Sequence, residues 1–420
     1  MIRTVDRVLE AVDEAAPEIV AFTSQLIRVP TVNPPGDHYT ECAHIIGAKL
    51  ESCALDVDYL PAEGAAEHTA THPRINVVGL RRGRSLRPAV HLNGHYDVVP
   101  PGEGWTVDPF GGVVRDGRIY GRGACDMKGG IAAAIFAAEA IRRAGVELHG
   151  SIEISATPDE ESGGFAGVAW LADHGRLTSA RIDHVIIPEP MNVDRISIGH
   201  RGVYWFEVTT HGRIGHGSMP FLGVNAIDQM SHILDRIHLT LLPTLAARST
   251  AMPVVPEAAR HATLNVNGIA GGQPIDGIQT PCVADLCRAV FDRRFLLEEG
   301  FEQTRSEICQ LLEEVAAEHD IRYVLRDLMV VHPVLAPADS PVVTALERAI
   351  QAILGRPGVQ VASPGTYDHK HVDRIGGIRN CVAYGPGILD LAHQPDEWCA
   401  IEDLVNATKI LALAVLELTM

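Results

Sequence analysis

The sequence predicts an α/β protein in which a mainly parallel sheet, covered by helices on both faces, is interrupted by an inserted βαββαβ domain of ferredoxin-like order. Three observations predict this. Short apolar strand-like runs alternate with helical stretches up to about residue 196, the spacing expected when parallel strands are joined by crossover helices. After Asp194 the order becomes β-α-β-β-α-β. From Pro341 the first texture returns, which places one domain at 1–196 and 331–420 and the insertion at 197–330.

The elements follow in order. Residues 5–29 carry apolar positions at helical spacing, and VPTVNPPGD (29–37) stops that helix with prolines and a glycine. A second helix spans 39–52, and strand-like runs follow at 75–80 and 89–93. GGIAAAIFAAEAIRRAG (129–145) sets Ile131, Ile135, Ala138 and Ile141 on one face and ends at a glycine. A strand at 151–156, a helix at 165–173 and a strand at 184–187 complete the first part. In the insertion, 196–211, 262–270, 283–293 and 321–329 alternate as strands, while 223–240 and 299–318 are helical. The return brings a helix at 341–354, a strand at 381–384 and a closing helix at 401–418.

Composition narrows the function. The 420 residues are 46% hydrophobic and 21% charged, as in ordinary globular proteins, and the net charge of −18 argues against a broad phosphate-binding face and hence against nucleic acid. The N-terminal stretch carries acids throughout and predicts no export signal. No run approaches the roughly 18 apolar residues of a membrane span, so no membrane partner is expected. Eight cysteines without a Cys-x-x-Cys pair predict reduced thiols and a cytoplasmic setting.

The chemistry is concentrated at strand ends. His95 and Asp97 sit just past an apolar run, and Asp126 just before a helix. An imidazole held by a neighbouring carboxylate, with a second carboxylate at a helix start, supplies the first elements of a metal site. ISATPDEESGG (154–164) puts Glu160 and Glu161 side by side after a strand. Adjacent residues there point differently, so one can bind metal while the other faces a metal-bound water. VIIPEP (185–190) presents Glu189 between prolines, and AYGPGILDLAHQPDEW (383–398) offers His393. In an open α/β sheet the carboxyl ends of the strands face one crevice, where ligands bind.

The blocks HYDVVPPG, GRGACDMKGG, TPDEESGG, PEP, HGRIGHGSMP, GTYDH and YGPG-x5-H, in order over nearly the whole chain, resemble the dinuclear-zinc aminoacylase and carboxypeptidase family. That family includes acetylornithine deacetylase, succinyl-diaminopimelate desuccinylase and carboxypeptidase G. The resemblance implies a zinc-peptidase-like domain bearing the metals and an inserted lid that forms a homodimer. It implies His95, Asp126 and Glu189 as ligands of one metal and Asp126, Glu161 and His393 of the other, with Asp126 bridging. It further implies Asp97 as the orienter of His95, Glu160 as general base, and His216, often from the partner subunit in relatives, as the oxyanion stabiliser. Arg294 aligns with an arginine that grips the substrate carboxylate, and Gly365 and Thr366 could add contacts to it or merely turn the chain.

Two divalent cations against three carboxylates leave about +1, which favours a bridging hydroxide and draws the water's pKa toward ~7. Zn²⁺ is the expected metal, and Mn²⁺ or Co²⁺ would accept the same donors. Two departures concern recognition. PIDGIQTP (274–281) stands where relatives carry Asn-Val-Ile-Pro, and His369, Lys370 and His371 follow Asp368 where relatives have a small residue and an arginine. His369 and its neighbours could bind an acidic or aromatic substrate or form a solvated basic loop. The expected reaction is hydrolysis of an amide-type C–N bond of a small molecule, foremost the deacylation of an N-acyl amino acid or related small acid. Dipeptidase or carboxypeptidase activity, or cleavage of another C–N bond in a small aromatic or acidic substrate, is the alternative.

Overall fold

The computed structural model describes residues 2–273 and 281–420. The substitution of PIDGIQTP for the relatives' asparagine run therefore lies outside the described residues, Pro281 excepted. The chain forms two compact units: Met1–Gly199 with Leu335–Val361 and Tyr367–Met420, and His200–Val334 with Ala362–Thr366.

The first unit is built on a large mixed sheet. Its middle is parallel: Ser151–Thr157, Ala89–His95, His184–Ile187 and Cys381–Ala383 lie side by side in that order. Helix Lys128–Arg143 separates the two central strands in sequence, which is the long crossover that parallel pairing requires. The flanks are antiparallel. Ile75–Arg81 pairs with Ser151–Thr157, Asp56–Pro61 pairs with Ile75–Arg81, and Arg195–His200 meets Cys381–Ala383 on the other side. Asp56–Pro61 and Ile75–Arg81 are joined by a loop without a helix, so the chain can only turn back on itself. The sheet is thus mixed, with the expected parallel strands at its centre.

Alternation along these strands fills two cores. Val90, Leu92, Ile152, Ile154, Ala156 and Ile186 pack beneath helices Ile2–Ile27, Lys128–Arg143, Pro341–Leu354 and Ile401–Thr419. Val185, Ile187, Cys381 and Ala383 face Val168, Leu171 and Val372 on the opposite side. There, the two central strands bury a polar row instead: His91, Asn93 and His95 beside Glu153, Ser155 and Thr157. Buried polar atoms must find partners. His91 bonds both Glu153 (2.8 Å) and Ser155 (2.7 Å), and Ser155 donates to Asn93 (2.6 Å).

The second unit has the order Gly202–His211, helix Ala226–Arg236 continued to Ala246, Thr263–Gly271, Leu286–Phe295, helix Phe301–His319 and Tyr323–Val331. Its sheet is antiparallel throughout, with Leu286–Phe295 and Gly202–His211 in the middle. Tyr204, Phe206, Val208 and Phe291 pack under Met230, Ile233, Ile308 and Leu312. The single strand expected at 196–211 is two strands, broken at Arg201. Among the described residues no helix is long and apolar enough to cross a membrane.

One close approach couples this fold to the site described next. Gly130, in the first turn of the Lys128–Arg143 helix, lies so near the loop after His184–Ile187 that a Cβ there would stand 2.0 Å from the Pro188 carbonyl oxygen. Alanine would add about 1 kcal/mol of helix propensity, but overlap with backbone cannot be relieved by a side-chain rotation. We predict that Gly130→Ala destabilises the protein by a net ~1–3 kcal/mol, read by chemical denaturation. An unchanged or raised midpoint would show that the 188–189 loop yields freely.

Candidate metal centre

Parallel pairing brings the functional side chains together. His95 ends its strand opposite Thr157, so the two central strands stop level and the turn Glu160–Ser162 follows at once. Glu189 comes two residues after His184–Ile187. His393 stands on the loop that leaves Cys381–Ala383, and Asp126 lies just ahead of the Lys128–Arg143 helix.

The result is two groups of side chains with a common member. Ligand-type atoms of His95, Asp126 and Glu189 lie within 4.8 Å of one another, as do those of Asp126, Glu161 and His393. His95 Nε2 is 3.1 Å from Asp126 Oδ1 and 3.9 Å from Glu189 Oε1. His393 Nε2 is 3.3 Å from Asp126 Oδ2 and 3.1 Å from Glu161 Oε2. Asp126 thus turns one oxygen to each group. His95 Nδ1 lies 3.1 Å from the Asp97 carbonyl oxygen. A carbonyl can only accept, so Nδ1 carries a proton, and Nε2, which faces Asp126, is the nitrogen left for a cation once its own proton is displaced.

Electrostatics gives this cluster the character of a cation site. Burial, reinforced by Asp126, pushes the Glu161 carboxyl up to about 7 and the Glu189 carboxyl well above its usual range. Bonds to Asp126 and Glu161 lift the His393 imidazole to about 10. Burial opposes a charge on His95, yet its bonds to Asp126 and Asp97 raise it well above the ordinary value, and the two imidazoles in turn hold Asp126 low against its own burial. Protons here hold together carboxylates that would otherwise repel. Nitrogen and oxygen donors of this kind suit two divalent cations of the zinc, manganese or cobalt type.

Three buried carboxylates outside the two groups hold the loops in place. Asp97 accepts the backbone N–H of Glu160 and of Glu161 at 3.2 Å each, and the Asn33 amide at 3.0 Å. One carboxylate therefore stands behind His95 and caps the turn that bears both glutamates. Glu397 Oε1 accepts from the backbone of Gly123, Cys125 and Asp126 at 2.8–3.2 Å, while its partner Arg122 reaches the His393 carbonyl at 3.2 Å. The small sheet that pairs Trp398–Ala400 with Arg118–Tyr120 brings these segments together. Asp159, in the left-handed region at φ 64°, is bonded by Arg74 (2.8 Å) and Tyr39 (2.9 Å). None of these anchors is a sequence-level expectation except Asp97. Glu397, four residues after His393 in HQPDEW, was open to such a reading only once its loop was tied to Asp126.

The remaining expected residues are placed as follows. Glu160 adjoins the two groups in sequence and is paired with Lys370 at 2.9 Å. His369, Lys370 and His371 are buried on the helix His369–Arg374 rather than set in a solvated loop. His369 is 1% exposed, with its imidazole pushed down to about 3 by burial, and has almost no surface to offer a substrate. In the second unit, His216 is exposed, and its Nδ1 accepts the Ser218 backbone N–H at 3.2 Å, which leaves the proton on Nε2. Arg294 is engaged by Asp292 through two bonds of 2.7 and 2.9 Å. Gly365 donates its N–H to Ser363 Oγ, and both it and Thr366 are partly buried.

Comparison with known proteins agrees with this geometry. A family model described as peptidase family M20/M25/M40 matches residues 91–417. Succinyl-diaminopimelate desuccinylase of Methylobacterium nodulans is 33% identical over 409 residues, covering 94% of each chain. Among solved structures, the di-peptidase Dug1p of Saccharomyces cerevisiae superposes with a TM-score of 0.80 at 16% identity, covering 100% of this chain and 99% of that one. The M20 family metallo-carboxypeptidase Sso-CP2 of Sulfolobus solfataricus does so at 0.76 and 19%, covering 94% and 99%. Matched over a span that includes both side-chain groups, the chain belongs to the M20/M25/M40 peptidase family and is a metallohydrolase.

Proposed function

We propose that the protein deacylates an N-acyl amino acid, with an N-succinyl or similarly acidic acyl group as the first candidate. The observation that carries this reading is end-to-end similarity to a desuccinylase together with a side-chain set in which Asp126 is common to two groups. His95, Asp126 and Glu189 would hold one cation, and Asp126, Glu161 and His393 the other; Zn²⁺ is the proposed metal. The cations would supply Lewis acidity, polarising the scissile carbonyl and making a water easier to deprotonate.

The residues do the rest. Asp97 keeps the His95 proton on Nδ1. Glu160, in neither group, accepts a proton from the attacking water as its oxygen bonds the carbonyl carbon. It then returns that proton to the departing nitrogen, so that the C–N bond breaks to an amine and a carboxylic acid, which gives up its proton to the amine or to solvent. His216 Nε2–H would donate to the oxygen that gains charge, and Arg294, released from Asp292, would meet a substrate carboxylate. We assign dimerisation to the inserted unit, in which Thr263–Gly271 is an edge strand among the described residues and exposes Val266 and Ile269. The free state of all eight cysteines suits a reducing, cytoplasmic setting.

Three outcomes test the proposal. Amine release should be faster from N-succinyl and N-acetyl amino acids than from dipeptides; the reverse order would make the protein a dipeptidase. Glu160→Gln should retain metal yet lose about 10²–10⁴-fold in kcat, and normal turnover would remove Glu160 from the role. Metal binding should release protons. With Glu161 near 7, His393 near 10, and Glu189 and His95 both raised in the metal-free protein, ligation at pH 7 must expel more than one proton, and affinity should tighten as pH rises from 6 to 8. Calorimetry in buffers of different ionisation enthalpy reads this directly, and identical apparent enthalpies would contradict it.

A further inference from the structure

A buried cation stands against the carboxylate assigned as base. Lys370 is 5% exposed, and its Nζ lies 2.9 Å from Glu160 Oε1. An ammonium taken out of water is stable only beside a well-placed anion, so each group constrains the other.

The lysine is presented from a short helix with ties of its own. It is the second residue of helix His369–Arg374. His371 Nε2 donates to the Gly163 carbonyl at 2.6 Å, and its ring packs against Phe165. At the start of the same helix Asp368 accepts from Asn93 Nδ2 at 3.0 Å. Asn93 belongs to the buried polar row, which continues through Ser155 and His91 to Glu153. The stem of Lys370 is thereby tied to the floor of the sheet, while Glu160 is tied through its backbone N–H to Asp97. The two ends of the ion pair are thus each fastened by bonds other than their own, with the Glu160 turn also tied to the lysine's helix through Gly163.

A glutamate's last torsion is soft, so a carboxylate at the rim of a cleft would ordinarily turn. We propose that Lys370 is a positioning residue: by occupying Oε1 it locks the Glu160 carboxylate, so that Oε2 alone takes and returns the proton. This rests on the assignment of Glu160 as base.

The test is a double-mutant cycle on the metal-loaded full chain. Lys370→Met should lower kcat by about 10²-fold, the cost of a misplaced catalytic group, with KM changed less than about threefold and metal content retained. Lys370→Arg, which keeps the charge, should recover kcat to within about tenfold of the native value. In a Glu160→Gln background the lysine substitution should cost nothing further, because its route of action is gone. If the methionine variant does not fold, Lys370→Gln carries the same cycle, with a smaller loss of kcat that again vanishes beside Glu160→Gln. Unchanged kcat in the lysine variants, a loss confined to KM, or an equal loss in the Glu160→Gln background would overturn the inference while leaving the base assignment intact. Normal turnover of Glu160→Gln alone would instead overturn the assignment beneath it.

Discussion

The constraint on which the structure turns is the crowding of like charge at one edge of the sheet. Asp126, Glu161 and Glu189 bring three carboxylates within a few ångströms, and their burial raises the cost of ionising any two together. A fold gains nothing by collecting acids in this way unless something positive completes them. In the metal-free chain His95 and His393 and the protons they share partly do so. Two divalent cations would do it better, since each would bring two charges without a side chain to order.

That crowding explains why so much of the surrounding structure is devoted to holding backbone. Asp97, Asp159 and Glu397 are themselves buried anions, and a design without them would carry less charge in the core. Each accepts bonds from backbone N–H groups, a guanidinium or a phenol, so each is compensated where it stands. What they secure is position. Loops that carry mutually repelling groups would spread unless fastened from behind, and a misplacement of about 1 Å can cost ~10²-fold in rate. The polar row beneath the site extends the same logic, because a strand slip would leave His91, Asn93 and Ser155 without partners.

Much of this was legible in the sequence, and the reason is topological. Parallel strands joined by crossover helices present their carboxyl ends to one side, so His95, Glu161, Glu189 and His393 could be grouped without knowing any distance. Asp126 could be added from its place before a well-marked helix. What escaped depends on contacts between distant segments. Lys370, between two histidines, has the look of a solvated turn, and only Glu160, far away in sequence, makes its burial tolerable. Glu397 is one acid in a polar loop until the Arg118–Tyr120 pairing brings it beside Asp126. Asp56–Pro61 is a short, half-exposed edge strand whose alternation covers only four residues, so its pairing with Ile75–Arg81 does most to make it a strand. The division at Arg201 was hidden because both flanking segments alternate, and alternation registers a face, not a partner.

The two side-chain groups are similar in donors and unequal in setting. His95 is 1% exposed at the end of a central strand, with Asp97 behind it, whereas the side chain of His393 is 48% exposed on a loop at φ 64°. The same pair of charges interacts more strongly where water is excluded. A cation between His95, Asp126 and Glu189 would therefore be held by less screened attraction than one between Asp126, Glu161 and His393, although the donor types match. The inequality arises from where the chain lets each imidazole sit. A strand terminus fixes one, and a ten-residue excursion beyond Ala383 carries the other out to solvent.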